Sequence, residues 1–303
     1  MIRTLKQNDY EIIRSYIDQD KLLNIHLDYW FQTFGLDNKD ANFVGAIDGS
    51  RLDGVLLIAN TYKGKIGYLG YPTSNKNYVL LELLKFGQTK GVTRFIGEKS
   101  NFEPALEDWR VKYRPRINTV NLIKLFPVKN KSNSDHNVRI VTQSEIPLLV
   151  ELYKQYEYRK KNRSAEDAKQ EIQNVMNESG VYFMIEVEGR AVSAIKIGNE
   201  TDTAGIIGGA RTLPEYRGYG MYLSLQTACL EYLSKKGKIG VGFVENKNRN
   251  MHKIQEKHGG SILNTWLIID FGRNRQPARR RFIPLYLRRW TLNIKDRVLK
   301  NRT

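Results

Sequence analysis

Apolar side chains recur at Met221, Leu225, Cys229 and Tyr232/Leu233, the spacing of a helix that buries one face. Just before this helix, the run Ala204-Gly205-Ile206-Ile207-Gly208-Gly209-Ala210 reads as a strand. It passes through Arg211-Thr212-Leu213-Pro214-Glu215-Tyr216 into Arg217-Gly218-Tyr219-Gly220. After the helix, Lys236-Gly237-Lys238 marks a glycine stop, and Ile239–Val244 reads as the next strand. Further upstream, Glu186-Val187-Glu188-Gly189 followed by Val192-Ser193-Ala194-Ile195 predicts a hairpin turning at an acid plus glycine.

The same order of patterns occurs once before. Ile2-Arg3-Thr4-Leu5-Lys6-Gln7-Asn8-Asp9 matches Val138-Arg139-Ile140-Val141-Thr142-Gln143-Ser144-Glu145 at an offset of 136 residues. Ala46-Ile47-Asp48-Gly49 with Val55-Leu56-Leu57-Ile58 repeats the hairpin, and Lys90-Gly91-Val92 repeats the helix stop. Each half then reads strand, helices, hairpin strands, strand, helix, strand. Between the halves, residues 129–137 are nine polar residues with nothing to bury, the composition of a linker. A repeat of this length is a duplicated domain rather than a solenoid unit. Chance likeness between two unrelated αβ domains is the competing account.

Length and composition fit two globular domains: 303 residues, 41% hydrophobic, with 17 Tyr and 11 Phe for packed cores. No apolar run reaches the roughly 18 residues of a membrane-spanning helix. Met1-Ile2-Arg3-Thr4-Leu5-Lys6 leads into an amphipathic segment without a signal-peptide apolar block. A single cysteine, Cys229, excludes an internal disulfide and fits a reducing cytoplasm. On the apolar stripe of its helix, a packing role is expected of it rather than a nucleophilic one. His26, His136, His252 and His258 have no metal-site spacing, so no metal is expected.

A strand feeding a glycine-rich turn that opens a helix presents unpaired N–H groups and the positive end of the helix dipole. That arrangement suits a phosphate. Gly218 and Gly220 allow positive φ and a close approach, and Arg217 adds a fixed charge. A ligand-free turn with the same glycines is one alternative. A dinucleotide site is another, but it wants a third glycine near Leu223. The first half's corresponding strand, Gly67-Tyr68-Leu69-Gly70-Tyr71-Pro72, runs into Thr73-Ser74-Asn75-Lys76-Asn77 with neither the glycine pair nor the arginine. It is expected to keep the fold without the cofactor site.

Leu213-Pro214-Glu215-Tyr216-Arg217-Gly218-Tyr219-Gly220-Met221 resembles the acyl-CoA-binding motif of the GNAT superfamily, Gln/Arg-x-x-Gly-x-Gly/Ala, with Glu215 at the position of Gln or Arg. The segment from Asn248 through the helix ending at Lys257-His258-Gly259-Gly260 is also similar to the family. The resemblance covers about 138–272, with a looser, motif-free version over 1–128. It implies an α/β (α+β) fold of two tandem GNAT-like domains, each a mixed, mainly antiparallel twisted sheet flanked by helices. The expected boundaries are 1–128, a linker at 129–137, 138–272, and a basic extension at 273–303.

The resemblance further implies acetyl-CoA as co-substrate. Its pantetheine arm would pair with the strand at Ile207–Thr212, hence Ala210, Arg211 and Thr212. Its pyrophosphate would meet Arg217, Gly218, Tyr219, Gly220, Met221 and Tyr222, and Asn248 would contact the pantetheine or the loop around it. An amine would attack the thioester directly, which calls for a neutral amine, an oxyanion donor and an acid for the thiolate. Many members carry a Tyr about four residues before the final glycine as that acid; here the position is Gln255, which cannot serve. Tyr216, Tyr222 and His252 are the weaker candidates, with water or a non-catalytic domain as alternatives. No general base is identifiable, since Glu186, Glu188 and Glu245 read as solvated or capping carboxylates.

The net charge of +17 changes the picture only at one end. Residues 273–303 hold eleven Lys/Arg and one acid, leaving +7 on everything before them. If helical, this tail carries two apolar stripes, Leu287/Trp290/Ile294/Val298 and Leu285/Leu292/Leu299. An anionic membrane surface, a structural or oligomer-forming extension and, least of all, nucleic acid are the partners it suggests. The function expected is a cytoplasmic N-acetyltransferase, peripheral at the inner membrane surface if the tail binds lipid. Its acceptor would be an amine on a small molecule or sugar, set by about 147–178 and the facing half. A non-catalytic acyl-CoA-binding module and an aminoacyl transferase of the peptidoglycan-building group are the other readings.

Overall fold

In a computed structural model of the chain, the described residues are 1–61, 64–71, 77–103, 106, 115–127, 136–157 and 164–271. The basic tail at 273–303 and most of the polar 129–137 stretch lie outside them. The first half contributes β1 (Ile2–Thr4), α1 (Tyr10–Asp18), α2 (Ile25–Phe34), β2 (Ala41–Asp48), β3 (Arg51–Thr61), β4 (Gly64–Leu69), α3 (Asn77–Thr89), β5 (Arg94–Glu98) and β6 (Arg116–Lys124). The second contributes β7 (Val138–Ile140), α4 (Ile146–Glu157), α5 (Ala165–Asn177), β8 (Val181–Val187), β9 (Arg190–Gly198), β10 (Ala204–Thr212), α6 (Met221–Ser234), β11 (Ile239–Glu245), α7 (Arg249–Lys257) and β12 (Ser261–Asp270).

The repeat seen in the sequence is physical. In the first half the Arg3 guanidinium holds both oxygens of Asp9 at 2.7 Å, and the Lys6 N–H donates to Asp9 Oδ2 at 2.8 Å. In the second half Arg139 pairs with Glu145, and the Thr142 N–H donates to Glu145 Oε2 at 2.8 Å. Both carboxyls are held below their usual range, Asp9 chiefly by Arg3 and Glu145 chiefly by the Thr142 amide. Each device ties a first strand to a single 3₁₀ turn that opens the first helix. The hairpins also share a register shift, between Ala46 and Ile47 in one and between Ile185 and Glu186 in the other.

The two expected sheets are fused into one of twelve strands, ordered β1-β2-β3-β4-β5-β12-β6-β11-β10-β9-β8-β7. Read inward from either end, each half lays down five strands and then accepts the last strand of the other. Thus β12 pairs with β5 through Trp266↔Glu98 to Asp270↔Arg94, and β6 pairs with β11 through Val241↔Lys124 to Glu245↔Val120. The two exchanged strands pair with each other antiparallel at the centre. Within each half, the fourth and fifth strands run parallel, β4 with β5 and β10 with β11; the other neighbours are antiparallel. A core at the seam is accordingly shared, with Leu23, Ile25, Val120 and Leu122 packed beside Ala204, Val241 and Trp266. No helix among the described residues is long and apolar enough to cross a membrane.

Candidate functional site

The strands β10 and β11 pair only at Ala204–Ile206 with Ile239–Val241, and then part. On one face α6 lies directly on the paired stretch. A Cβ at Gly205 would come within 2.8 Å of Leu233, and one at Gly240 within 2.4 Å of Leu230. Because these contacts are made by the end of α6, its first turn lies toward the opening. Met221, Leu225, Cys229 and Leu233 form the buried stripe expected from their spacing. Burial pushes the Cys229 thiol up, in keeping with its packing role.

Past the parting point β10 carries a register shift between Gly208 and Arg211, where Gly209 has φ of 66°. Several groups hold this bulged stretch. The Tyr153 hydroxyl donates to Gly209 O at 2.9 Å, and the Ser193 hydroxyl donates to Arg211 O at 3.0 Å and lies 2.7 Å from Thr212 Oγ1. Arg211 donates to Ala210 O at 3.0 Å, with its guanidinium over the Tyr153 ring. Ala210, Arg211 and Thr212 therefore sit on a strand anchored from the β9 side, with β11 no longer paired on the other.

The loop that follows turns through Pro214–Tyr216, and Arg217 folds back so that Nε donates to Thr212 O at 3.2 Å. Gly218 and Gly220 have φ of 88° and 80°. Glycine adopts this left-handed backbone without steric cost, and a Cβ on Gly218 would point into open space. Gly220 is the N-cap of α6, and the first helical bonds run from Leu223 and Ser224 to its carbonyl at 2.9 and 3.2 Å. The amides of Gly218 through Tyr222 precede that ladder. Tyr219 is exposed, and His136 lies 2.8 Å from its carbonyl. The residues present fit a pyrophosphate: amides at a helix start, open space and an adjacent guanidinium.

The remaining sequence candidates take defined places. Asn248 caps α7, its side chain accepting from the Met251 N–H at 3.2 Å. His252 Nε2 lies 3.2 Å from Glu245 O. Tyr216 packs against the second-half core. Gln255, at the family's acid position, is buried between α6 and α7 and donates to the Tyr222 hydroxyl at 2.8 Å. Burial raises the Tyr222 phenol, so it stays protonated.

The first half's equivalent opening is closed by protein. β4 and β5 also pair over three residues, Ile66–Tyr68 with Arg94–Ile96. There, however, the Asn24 side chain accepts from the Tyr71 N–H at 2.8 Å and donates back to the Tyr71 carbonyl, while Asn101 donates to Gly70 O at 3.3 Å. Sequence reasoning missed one group near the second-half opening. His26, from α2 of the first half, stacks on Phe243 of β11 at 5.5 Å, and its Nδ1 lies 3.1 Å from the Asn199 amide nitrogen. Nothing local in the sequence around His26 points to partners more than 170 residues away.

No family model matches the chain, and no curated protein matches it in sequence. Solved structures do match in fold. A tandem GNAT protein from the clavulanic acid biosynthesis pathway aligns at 12% identity and a TM-score of 0.58, covering 90% of this chain and 99% of its own. A GCN5-related N-acetyltransferase from Sphaerobacter thermophilus aligns at 15% and 0.61, covering 89% and 94%. A GNAT-family acetyltransferase from Colwellia psychrerythraea aligns at 13% and 0.52, covering 90% and 100%. Each of these alignments spans both halves, and this chain has the GNAT fold.

Proposed function

We propose that the protein is an acyltransferase that takes its acyl group from acyl-CoA, acetyl-CoA in the simplest case, and passes it to an amine. The observation that carries this reading is the parted edge of β10 leading into the positive-φ glycines and the first turn of α6. Acyl-CoA would supply an activated thioester. Arg217 and the amides of Gly218, Tyr219, Gly220, Met221 and Tyr222 would hold its pyrophosphate, and the β10 edge at Ala210–Thr212 would receive the pantetheine amides. Asn248, committed to capping α7, would act by fixing the start of that helix. The first half is read as a scaffold, because Asn24 and Asn101 occupy the strand end that the second half leaves open.

Of the three candidate acids, Tyr222 stands in the first turn of α6. Its phenol donates to Gln226 Oε1 at 2.7 Å, and burial keeps its proton in place. Gln255 supports that hydroxyl rather than replacing it. A second reading, acyl-CoA binding without turnover, is favoured by the amide at the family's acid position.

Calorimetric titration of the full chain with acetyl-CoA tests the cofactor assignment. Gly220→Asp brings a carboxylate to the phosphate site and is expected to weaken binding at least about a hundredfold. Gly220→Asn tolerates the same backbone without the charge, so it should lose far less. Equal losses in the two variants would remove the electrostatic argument. Amine-dependent release of free CoA then separates a transferase from a binding module.

A further inference from the structure

On the face of the sheet that carries α2, a cavity of about 220 Å³ lies between the halves. Its floor includes Ile206 and Gly208 of β10, at the place where that strand leaves β11. It therefore meets, from the face opposite α6, the strand whose open edge is assigned to the pantetheine arm. The first half supplies an aromatic wall of His26, Tyr29 and Tyr68. The His26 ring is packed among Tyr68 at 4.5 Å, Phe243 at 5.5 Å and Trp266 at 5.8 Å. This enclosure lowers its pKa to about 4, so the imidazole is neutral at physiological pH.

The second half supplies a carboxylate. Glu178 follows the last turn of α5, lines the cavity and is exposed, which places it at the mouth. Its Oε2 accepts from the Tyr29 hydroxyl at 3.3 Å, a bond between halves. A tight turn holds it: Ser179 has φ of 63°, and a Cβ on Gly180 would lie 2.7 Å from Val175 O. Loss of hydration raises the Glu178 carboxyl, against the opposing pull of the Tyr29 hydroxyl and the Lys196 charge. Lys196 itself reaches Glu171 at 3.6 Å and lies over the Tyr182 ring.

A carboxylate beside aromatic faces is a receptor for an organic ammonium: the charge meets the carboxylate and the ring quadrupoles, and the carbon body meets the ring surfaces. We propose that this cavity binds the acceptor as a small primary amine bearing an apolar or ring body. In this proposal Glu178 pairs with the ammonium and takes its proton, and Tyr29, Tyr68 and His26 contact the body. The proton passes from the ammonium nitrogen to a Glu178 oxygen, which leaves a neutral amine with its lone pair and a neutral carboxylic acid. The term acceptor rests on the acyl-CoA reading; the binding claim does not.

The test uses the full chain without CoA and follows binding by ligand-observed magnetic resonance and calorimetry. The probes are benzylamine, phenethylamine and cyclohexylmethylamine, each against its alcohol counterpart. At least one amine should bind, and about tenfold or more tightly than its alcohol. Glu178→Gln, which keeps an acceptor for Tyr29, should erase that preference while leaving alcohol binding and the thermal midpoint unchanged. Gly198→Leu serves as a second variant. Gly198 lines the cavity with open space where a Cβ would go, so the larger side chain should fill it and abolish amine binding without touching acetyl-CoA affinity. Absence of binding by every amine, equal binding of an alcohol, or an unchanged Glu178→Gln would each overturn the proposal. Amine binding as expected with no binding of acetyl-CoA would instead fail the acyl-CoA reading and leave the ammonium site standing.

Discussion

The side-chain amide of Gln255 donates to the hydroxyl of Tyr222 at 2.8 Å, joining α7 to the first turn of α6. Gln226 completes a buried triad, accepting from Tyr222 at 2.7 Å and from Gln255 at 2.8 Å. Tyr222→Phe removes the group that bridges the two glutamines and leaves buried polar atoms short of a partner. A loss of about 1–3 kcal/mol in urea unfolding is expected. Gln255→Ala also opens a cavity and should cost at least as much. If Tyr222 is the proton donor, Tyr222→Phe lowers amine-dependent CoA release about a hundredfold or more with little change in acetyl-CoA affinity. A loss under about tenfold assigns the hydroxyl to structure alone.

The exchange of β6 and β12 predicts that the halves unfold together. Each half's fifth strand finds its next partner in the other half, β5 on β12 and β11 on β6. Calorimetry of the full chain should therefore show one transition whose calorimetric and van't Hoff enthalpies agree. Residues 138–303 made alone would lack β6 and leave the β11 edge bare, so they should aggregate or remain unfolded. Co-expression with 1–127 should recover soluble protein. Two separated transitions, or a stable isolated second half, would count against the shared core around Trp266.

These contacts mark where sequence reading stops. The matched starts at Ile2 and Val138, the hairpin turns and the α6 stripe were legible because each is a local pattern of period two or 3.6, or a short-range cap. The Arg3–Asp9 and Arg139–Glu145 pairs lie six residues apart in both halves, so the structural repeat extends to its ion pairs. β6 and β12 lie beyond the strand, helices, hairpin, strand, helix, strand order read for each half, and neither shows a clean period-two alternation, so neither these strands nor their exchange was legible. Nor was the cavity: Tyr29 and Glu178 are 149 residues apart, and neither sits in a motif. Asn248 shows how one residue can satisfy two readings, since an Asn before a helix is both a family position and an ordinary N-cap.

Removing residues 273–303 should leave acetyl-CoA binding intact, because every group assigned to it precedes Phe271. It lowers the formal charge from +17 to +7. If the tail serves an anionic membrane surface, the full chain should bind phosphatidylserine vesicles, and the truncated chain should not. That binding should weaken steeply with salt, since attraction between exposed charges decays over about 8 Å at physiological ionic strength. A blue shift of Trp290 fluorescence with anionic but not neutral vesicles would accompany insertion. Failure of vesicle binding together with a lower thermal midpoint on truncation would assign the segment to structure.

The position of His26 makes stability depend on pH in a defined window. The ring is enclosed by Tyr68, Phe243 and Trp266, and its pKa falls to about 4 in the folded protein against about 6.5 in an unfolded chain. Between these values the unfolded chain binds a proton that the folded protein refuses. Stability from this group is therefore complete above about pH 6.5 and is lost progressively as pH falls toward 4. Asp9, Glu145, Glu200 and Asp202, all held low, contribute in the same direction but below the ordinary carboxylate range. Glu178 and Asp28, held high, oppose it by taking protons more readily when folded. Subtracting the unfolding curve of His26→Phe from that of the wild type isolates the imidazole, since the carboxylates are common to both. The difference should slope upward with pH between 4 and 6.5 and be flat above 7. A flat difference across the whole range would show that His26 reaches water in the folded protein, and the neutral imidazole wall of the cavity would have to be given up.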